Sequence, residues 1–285
     1  MTEELLKQLS EAQMVLVGIG REMEAETDEM EKNPFYASLL HQAEASMPDA
    51  RERLAVKQYL RLHYLRHHRD TARLNAYEQL AGMLAGKNYF LVSLCTDDLI
   101  FETDLNRDRI VTPCGGYRAL QCMETDSEGN PLCVTDQEPL VTDERVWNQT
   151  LEEIDRCGGD LSRVDFPVCA ECCHMLAFNQ IGTPGYREEG YLPWWEKYMR
   201  WLQGTLNHRV CVLELGVGME YPGVIRFPFE KVVFFNQKAS FFRVHSRLWQ
   251  MTEELKDRGI SIKENPVSCL NSGMLSPKAA GGEET

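Results

Sequence analysis

The sequence predicts an α/β protein with a parallel sheet and helices on both faces. Short apolar runs that are typical of buried strands alternate with stretches of helical spacing, and two of the runs end in glycines, at Gly18/Gly20 and Gly216/Gly218. Such alternation favours a parallel sheet. Ligands of these sheets bind at the carboxyl ends of the strands, near the point where the strand order reverses. We therefore expect a binding site beside the two glycine turns.

The hydrophobic period separates predicted helices from predicted strands along the chain. Residues 34–86 keep helical spacing almost throughout and form a predicted helical module, whereas residues 122–175 are rich in Cys, Gly, Pro and Asp and indicate a small insert. The tail, 276–285, has no large apolar residue and is predicted to be disordered. The remaining predicted helices lie at 3–12, 21–32, 194–204 and 248–258, and the predicted strands at 14–17, 88–94, 109–111, 210–215, 231–235, 240–244 and 260–262.

Composition narrows the function classes. The chain has 285 residues, 44 Asp+Glu against 30 Lys+Arg, and a formal net charge of −14. That length fits about two domains. The negative charge disfavours nucleic acid and anionic membranes as partners, because both are polyanions, and no apolar run approaches the ~18 residues of a membrane span. The acidic, amphipathic start is unlike a secretory signal, so a cytoplasmic location is expected.

Cysteine spacing indicates a metal site. The chain has 10 cysteines, which in a reducing compartment are expected as thiols or metal ligands rather than disulfides. Cys169 and Cys172 form a C-x2-C pair, and Cys122 and Cys133 form a wider pair upstream. Since tetrahedral zinc takes four such ligands, usually in two pairs, we expect one structural zinc ion on these thiols; the alternative is a set of unrelated free cysteines. Three neighbours are candidates to replace one ligand: Cys157, Cys173 and His174.

The run 63–69 raises the question of a second metal site, because it contains His63, His67 and His68. Histidines are common metal ligands, but soluble helix faces often carry such residues without a metal. The sequence alone therefore favours a solvated helix face here.

The Gly18-Ile19-Gly20 turn suits a phosphate group. Glycines directly after a strand allow the backbone to approach a pyrophosphate, whose charge then meets a helix N-terminus. The third glycine of the dinucleotide fingerprint is missing, so a simple tight turn is the alternative. We expect nucleotide phosphates to lie against 18–20 and 216–218, and we expect Gly20→Asp to remove binding while leaving the melting temperature of the free protein nearly unchanged.

The order of these segments resembles the sirtuins, the NAD-dependent protein deacylases and ADP-ribosyltransferases, over roughly residues 10–265. The run 109–122 is similar to the catalytic loop and its approach to the first zinc cysteine, and 88–99 is similar to the strand and acidic turn of the nicotinamide site. The cysteine pair in 169–172 is similar to the second pair of zinc ligands in that family. Residues 213–226 are similar to the family's loop on the phosphate side of NAD, and residues 231–244 are similar to its strands near the adenosine. The microbial sirtuins linked to macrodomains are the nearest in pattern.

The resemblance implies a domain organisation. A large Rossmann-like domain would comprise 1–117 and 186–275, with the helical module at about 34–86, and a small zinc-binding domain would comprise 118–185. NAD would lie in the cleft between them. The residues implied to contact it come from several segments: Gly18, Gly20, Ser93, Cys95, Asp97, Gly216, Gly218, Asn236 and His245.

The chain departs from the family pattern at the site implied to be catalytic. Cys114 stands in place of the catalytic histidine and Cys95 in place of an asparagine, whereas Asp97 matches the family aspartate. The macrodomain-linked sirtuins also lack that histidine and are thought to transfer ADP-ribose. Asp98 stands in place of a family glycine. The acidic side chain of Glu22, if it lay beside the pyrophosphate of NAD, would repel that group.

These departures favour some activities over others. Deacylation needs a base near neutral pH, and Cys114 can be one only as a thiolate, which nearby carboxylates disfavour. ADP-ribosyl transfer to a protein, or cleavage of the glycosidic bond of NAD by water, needs less base chemistry and can use Asp97 to stabilise positive charge. One alternative is a catalytically inactive binding or scaffold protein on the same fold. Another is an unrelated redox or metal protein that uses Cys95 and Cys114.

Overall fold

The computed structural model describes residues 2–133 and 139–272, so the predicted disordered tail at 276–285 lies outside the described residues. The helices are α1 (Thr2–Glu11), α2 (Pro34–Ser46), α3 (Ala50–His67), α4 (Thr71–Leu84), α5 (Glu144–Arg156), α6 (Leu192–Gln203), α7 (Arg226–Phe235) and α8 (Pro266–Asn271). The strands are β1 (Met14–Ile19), β2 (Tyr89–Ser93), β3 (Ile110–Val111), β4 (Gly115–Gln121), β5 (Ala177–Gln180), β6 (Val210–Leu215), β7 (Ser240–Val244) and β8 (Gly259–Ile262).

The main sheet confirms the predicted α/β class. Its strands lie in the order β3-β2-β1-β6-β7-β8, and all neighbouring pairs are parallel. The strand order reverses between β1 and β6, because the chain moves outward from β1 to β3 and then returns to the other side of β1 at β6. The carboxyl ends of β1 and β6 therefore flank the crevice where ligands of such sheets bind.

Helices cover both faces of the main sheet. Every residue of β1 and β6 is buried, which explains why these strands read as continuous apolar runs. On one face, α1, α4 and α8 contribute side chains such as Leu5, Tyr77 and Leu270 to one buried cluster. On the other face, α6 and α7 contribute Tyr198 and Phe229 to a second cluster.

A separate core joins the helical module to the cysteine-rich region. The strands β4 and β5 form a two-stranded antiparallel sheet, and it packs with α2, α3 and α5 around Tyr59, Trp147 and Phe178. Cys122 and Cys169 are buried in the same cluster. The structure therefore places α2 and α3 of the predicted helical module on one shared core with the predicted insert, whereas α4 packs on the main sheet. None of the described helices is long and apolar enough to span a membrane.

Two predicted elements are wrong. The strand expected at 231–235 is the last part of α7, in which Phe229 and Val233 lie on one buried face with the preceding residue Ile225. The helix expected at 21–32 is reduced to a single 3₁₀ turn at Arg21–Met23. The turn stops there because the backbone N–H of Ala25 donates to the carboxylate of Asp97 rather than to the preceding helical turn.

Other segments differ in extent from the prediction. Of the helix expected at 248–258, only a 3₁₀ helix at Glu253–Arg258 forms. Helix α5 lies within 122–175, where no helix was predicted; its buried side chains include Trp147, Leu151 and Ile154. Their spacing is helical, but many charged residues around them masked it. The strands β4 and β5 were also not predicted.

Candidate active site at the carboxyl edge of the sheet

A cavity of about 580 Å³ lies at the carboxyl edge of the main sheet, beside the reversal of strand order. Its walls come from the segments that follow β1, β2, β6 and β7. The lining residues are Arg21, Glu22, Leu94, Gly216, Gly218, Met219, Glu220, His245, Arg247 and Leu248. Cavities of this size hold small-molecule ligands, so this is the candidate ligand site.

The glycines of the two turns have different roles. A Cβ on Gly18 would stand 2.5 Å from Cγ2 of Ile225, and one on Gly20 would stand 2.0 Å from the carbonyl oxygen of Gly216. These two glycines allow close packing of the backbone, so the expectation that Gly20→Asp leaves the melting temperature unchanged is wrong. Gly216 adopts a positive φ of 66°, which favours glycine.

Gly218 is the glycine that faces open space. The nearest atom to a Cβ built there is Nε2 of His245, at 3.9 Å. His245 accepts backbone N–H bonds from Arg247 and Leu248 at Nδ1, at 3.1 and 3.2 Å. Burial lowers the pKa of His245 against the opposing effect of Glu22, which favours the neutral ring, and Nε2 is the ring nitrogen close to Gly218.

Glu22 is held by the turn that follows β7. Its carboxylate accepts hydrogen bonds from the backbone N–H of Ser246, at 3.1 Å, and from the Ser246 hydroxyl. It also lies 3.1 Å from Nδ1 of His245. The carboxylate thereby links the end of β1 to the end of β7.

Cys114 is a buried, neutral thiol beside a charged cluster. Burial raises the pKa of Cys114 to about 11, although Arg21 opposes this shift. Arg21 donates to Glu24 at 2.6 Å and to Glu220 at 3.2 Å. The positive charge nearest the thiol is thus already paired with two carboxylates, and Cys114 is not a base at neutral pH.

Asp97 is enclosed by the turn that follows β1. It is 7% exposed, and its oxygens accept from the backbone N–H of Ala25 at 2.6 Å and of Leu99 at 3.0 Å. Burial is the largest effect on this carboxyl and raises its pKa to about 7. The group therefore changes charge near neutral pH, as catalytic carboxyls often do.

Asp98, at the position where the resemblance implied a glycine, adopts a left-handed φ of 61°. Its carboxylate accepts from the backbone N–H of Tyr117 at 2.5 Å. Burial raises its pKa to about 6, opposed by Arg118. A Cβ on Gly116 would stand 2.4 Å from this carboxylate, so the Asp98 side chain occupies the space beside β4.

Ser93 and Cys95 are part of the protein interior. The Ser93 hydroxyl accepts from the backbone N–H of Cys95 at 3.2 Å. The Cys95 thiol contacts the carbonyl oxygen of Gly20 at 3.3 Å and the hydroxyl of Tyr77 at 3.7 Å. Burial raises the pKa of Cys95 well above its ordinary value. Within residues 2–133 and 139–272, neither Cys95 nor Cys114 belongs to a cluster of possible metal ligands.

Asn236 lies at the wrong end of the sheet for the role that the resemblance implied. Its side chain donates to the carbonyl oxygens of Thr205 and His208. The cause is the helix α7: residues 231–235 lead into the amino end of β7 instead of forming a strand that ends at the cavity. Asn236 thus ties loops together at the opposite edge.

Four thiols of the insert come together as predicted for a metal site. The Sγ atoms of Cys122, Cys133, Cys169 and Cys172 all lie within 4.8 Å of one another, with 3.5 Å between Cys122 and Cys172. The three alternative ligands lie outside this cluster. Cys157 contacts the carbonyl oxygen of Ile154, Cys173 is exposed, and His174 pairs with Glu124.

The sequence analysis missed charged residues of the site: Arg21, Glu24, Glu220 and Arg247. Arg21 follows the first glycine turn directly, and Glu220 follows the second. Their positions after the glycines were the signal that could have identified them, since residues at strand ends line the crevice.

The chain has weak sequence similarity to curated proteins, and no protein-family model matches it. A probable bifunctional ADP-ribose hydrolase/ADP-ribosyltransferase of Fusarium oxysporum f. sp. cubense is 26% identical over 151 residues, which cover 52% of this chain and 24% of that protein. A protein ADP-ribosyltransferase of Staphylococcus aureus is 19% identical over 209 residues, which cover 70% of this chain and 60% of that protein. The chain therefore spans less than two thirds of each relative.

Solved structures match a larger share of the chain than the curated relatives do. A Sir2 enzyme structure covers 96% of this chain and 95% of its own, with a TM-score of 0.54 and 10% identity. A sirtuin structure determined to explain substrate affinity covers 95% of this chain and 97% of its own, with a TM-score of 0.52 and 12% identity. The chain has the sirtuin fold.

Proposed function

We propose that this sirtuin-fold chain binds NAD in the cavity at the carboxyl edge and transfers ADP-ribose to a protein acceptor or to water. Three features support the proposal: the fold, the position of the cavity and the names of the two curated relatives, both of which include ADP-ribosyltransferase. NAD would be the substrate that supplies the ADP-ribosyl group.

The observation that most directly supports transfer of ADP-ribose over deacylation is the neutral thiol of Cys114. A deacylase needs a base that is unprotonated near neutral pH, and the pKa of Cys114 is raised to about 11 by burial. The residue is therefore protonated at pH 7 and donates rather than accepts. This supports transfer or glycosidic-bond cleavage over conventional deacylation.

Asp97 is the proposed electrostatic centre. Cleavage of the bond to nicotinamide develops positive charge on the ribose, and a carboxylate in a poorly screened interior stabilises such charge more than one in water. The pKa of Asp97, raised to about 7, makes about half of the groups ionised at neutral pH. The proposed activity therefore increases as the pH rises through 7.

Charged side chains on the wall of the cavity suit a diphosphate only in part. Arg21 and Arg247 line it, and so do Glu22 and Glu220. Arginine pairs well with phosphate, but Arg21 already pairs with Glu24 and Glu220. Binding of a diphosphate would have to displace Glu220, the more exposed of the two partners.

A scaffold protein on the same fold is the second candidate function. The observation that favours it is the contact between the two turns. Gly20 packs on Gly216 so closely that a Cβ would meet its carbonyl oxygen at 2.0 Å, and the backbone there is not free to cradle phosphates. On this alternative the site binds no nucleotide.

We also propose that Cys122, Cys133, Cys169 and Cys172 bind one structural zinc ion. Zinc–sulfur bonds of about 2.3 Å place the sulfurs of a tetrahedral site about 3.8 Å apart. The observed cluster, with all four Sγ atoms within 4.8 Å, fits that size. Zinc would hold the cysteine-rich loops against the shared core.

The decisive experiment measures melting temperature with NAD and nicotinamide release in the same samples. Wild type is expected to be stabilised by millimolar NAD. Gly218→Asp places a negative charge in open space, so it is expected to lose this stabilisation while the free protein melts as before. Gly223→Ala is the control, since a Cβ there meets no atom within 4 Å. If NAD stabilises neither wild type nor the control, the scaffold alternative is supported and the proposal fails.

Two further variants separate the roles of the site residues in that assay. Asp97→Asn is expected to abolish nicotinamide release because it removes the charge. Cys114→Ser replaces one protonated group by another and is expected to change the rate less than about tenfold, or about 1.4 kcal/mol of barrier. An inactive Cys114→Ser with an active Asp97→Asn would reverse the assignment.

A further inference from the structure

We propose that His63, His67 and Asp155 form a second metal site, for a divalent transition metal such as Zn²⁺, that joins α3 to α5. Nε2 of His63 and Nε2 of His67 each lie 3.1 Å from the same carboxylate oxygen, Oδ1 of Asp155. The three ligand atoms lie within 4.8 Å of one another. None of the three residues lines the cavity, and the proposal is independent of the proposed NAD chemistry.

The hydrogen bond of His67 fixes which ring nitrogen faces Asp155. Nδ1 of His67 lies 2.9 Å from the carbonyl oxygen of His63, and a carbonyl oxygen only accepts. Nδ1 therefore donates to that oxygen, and Nε2 is the nitrogen that faces the carboxylate of Asp155. Two acceptors 3.1 Å apart repel each other unless a metal ion or a second ring proton lies between them.

His63 has the orientation of a second ligand. It lies one helical turn before His67, and the two rings stack with their centroids 4.2 Å apart. Its Nδ1 lies 2.9 Å from the hydroxyl of Tyr36, and a tyrosine hydroxyl can accept a hydrogen bond as well as donate one. With Nδ1–H donated to Tyr36, Nε2 is free to bind metal, and this outer hydrogen bond fixes the ring.

The donor set selects the kind of metal. Two imidazole nitrogens and one carboxylate oxygen suit Zn²⁺ and its neighbours, whereas the all-sulfur site prefers softer ions. A tetrahedral site with bonds of about 2.1 Å places adjacent ligand atoms about 3.4 Å apart, close to the 3.1 Å observed. The side chains of His67 and Asp155 are 47% and 51% exposed, so water has access to the fourth position.

The experiment uses the full chain with its thiolate site already filled by zinc. Excess metal is dialysed away, and Zn²⁺ or Co²⁺ is added in increments while bound metal is counted by elemental analysis. Wild type is expected to take up a second equivalent. Co²⁺ in that site should absorb in the visible without the strong sulfur-to-cobalt bands of a thiolate site.

His67→Asn and Asp155→Asn are expected to keep the first metal ion and lose the second. The matched control is His68→Gln. His68 stacks on the ring of Tyr64 and contacts the carbonyl oxygen of Tyr64 as His67 does with His63, but it lies outside the cluster of ligand atoms. It is therefore expected to keep both ions. The two exposed positions allow the variants to fold, which circular dichroism and retention of the first zinc ion confirm.

Uptake of only one equivalent by wild type would overturn the proposal, and so would a second equivalent that persists in His67→Asn. If NMR shows a doubly protonated His67 with no metal uptake, the cluster is an imidazolium–carboxylate pair instead. None of these results depends on whether NAD binds.

Discussion

Burial sets the protonation state of Cys114, Asp97 and His245, of which only His245 lines the cavity. It raises the pKa of the Cys114 thiol to about 11 and that of the Asp97 carboxyl to about 7, and it lowers the pKa of His245. In each case the uncharged form is favoured, as expected when a low-dielectric interior opposes charge. The sequence could suggest which residues meet, but it could not predict these shifts, because they depend on how completely the fold covers each group.

The pKa of Asp97 predicts a pH dependence of stability. The folded value of about 7 exceeds the unfolded value of about 3.9, so the folded state holds the proton more tightly. This contribution is full below pH 4 and is lost as the pH rises to about 7. Asn at this position cannot ionise. The free energy of unfolding of wild type relative to Asp97→Asn is therefore expected to fall by on the order of 4 kcal/mol over this range.

Urea denaturation at a series of pH values from 4 to 8 measures this difference. Asp104→Asn, at an exposed position, is the control for the substitution itself. A difference that stays constant over the series would mean that Asp97 is ionised throughout, and the argument from burial would be wrong.

Single residues also show where sequence reasoning reached its limit. Cys122, Cys133, Cys169 and Cys172 were predicted as one cluster, and their thiols do come together, because the C-x2-C spacing has one dominant use. Asn236 was placed in the site through the family pattern and lies at the opposite edge. The Ala25–Asp97 hydrogen bond joins segments far apart in sequence, so no local pattern signals it.

At the scale of elements, continuous apolar runs were the dependable signal. Strands β1 and β6 were predicted from them and are wholly buried. The run 231–235 has the same β-branched and aromatic composition, yet it is the end of α7. Composition alone does not distinguish a buried strand from a short buried helix. Tertiary packing decides: Phe229 and Val233 complete the cluster on that face of the sheet.

The contact between the β1 and β6 turns gives a prediction about stability. A Cβ on Gly20 would stand 2.0 Å from the carbonyl oxygen and 2.3 Å from the next Cα of the facing turn, and neither backbone atom can move alone. Gly20→Ala is therefore expected to destabilise the protein by about 3 kcal/mol or more. Gly218→Ala, whose Cβ meets only His245 at 3.9 Å, is expected to unfold like wild type.

Equilibrium urea denaturation of the two alanine variants and wild type tests this prediction. Equal stability of Gly20→Ala and wild type would show that the turns separate without cost. The backbone there would then be available to phosphates after all, which would weaken the scaffold alternative.

At the scale of the whole molecule, two cores share the chain. The two clusters on the faces of the main sheet form one core, and the other core joins α2, α3 and α5 to the two-stranded β4–β5 sheet. The sequence predicted the parallel sheet and the separate cysteine-rich region. It did not predict the strand order or the shared core, because both depend on contacts between residues distant in sequence. The bounds proposed for the zinc-binding domain, 118–185, remain a prediction.

Because the thiols lie in the shared core, loss of zinc tests how strongly the two cores are coupled. Cys122, Cys169 and Cys172 pack in the same cluster as Tyr59 of α3. Metal binding to such thiols contributes directly to folding. Cys172→Ser is therefore expected to lose the zinc ion. It is also expected to weaken protection from hydrogen exchange in α2, α3 and α5 and in the strands β4 and β5. Strands β1 and β6 belong to the other core and should keep their protection.

Cys173→Ser is the matched control, since Cys173 is adjacent in sequence but exposed and outside the thiol cluster. It should retain both the metal ion and the wild-type pattern of exchange. Equal loss of protection in β1, β6 and the helices of Cys172→Ser would show that the two cores unfold as one cooperative unit. If the coupling between the two cores is weak, the loss of protection is confined to the core around the thiols, because local opening needs less free energy than global unfolding. The candidate cavity lies at the edge of the main sheet, so the residues after β1 and β6 that line it would then stay in place when the zinc ion is removed.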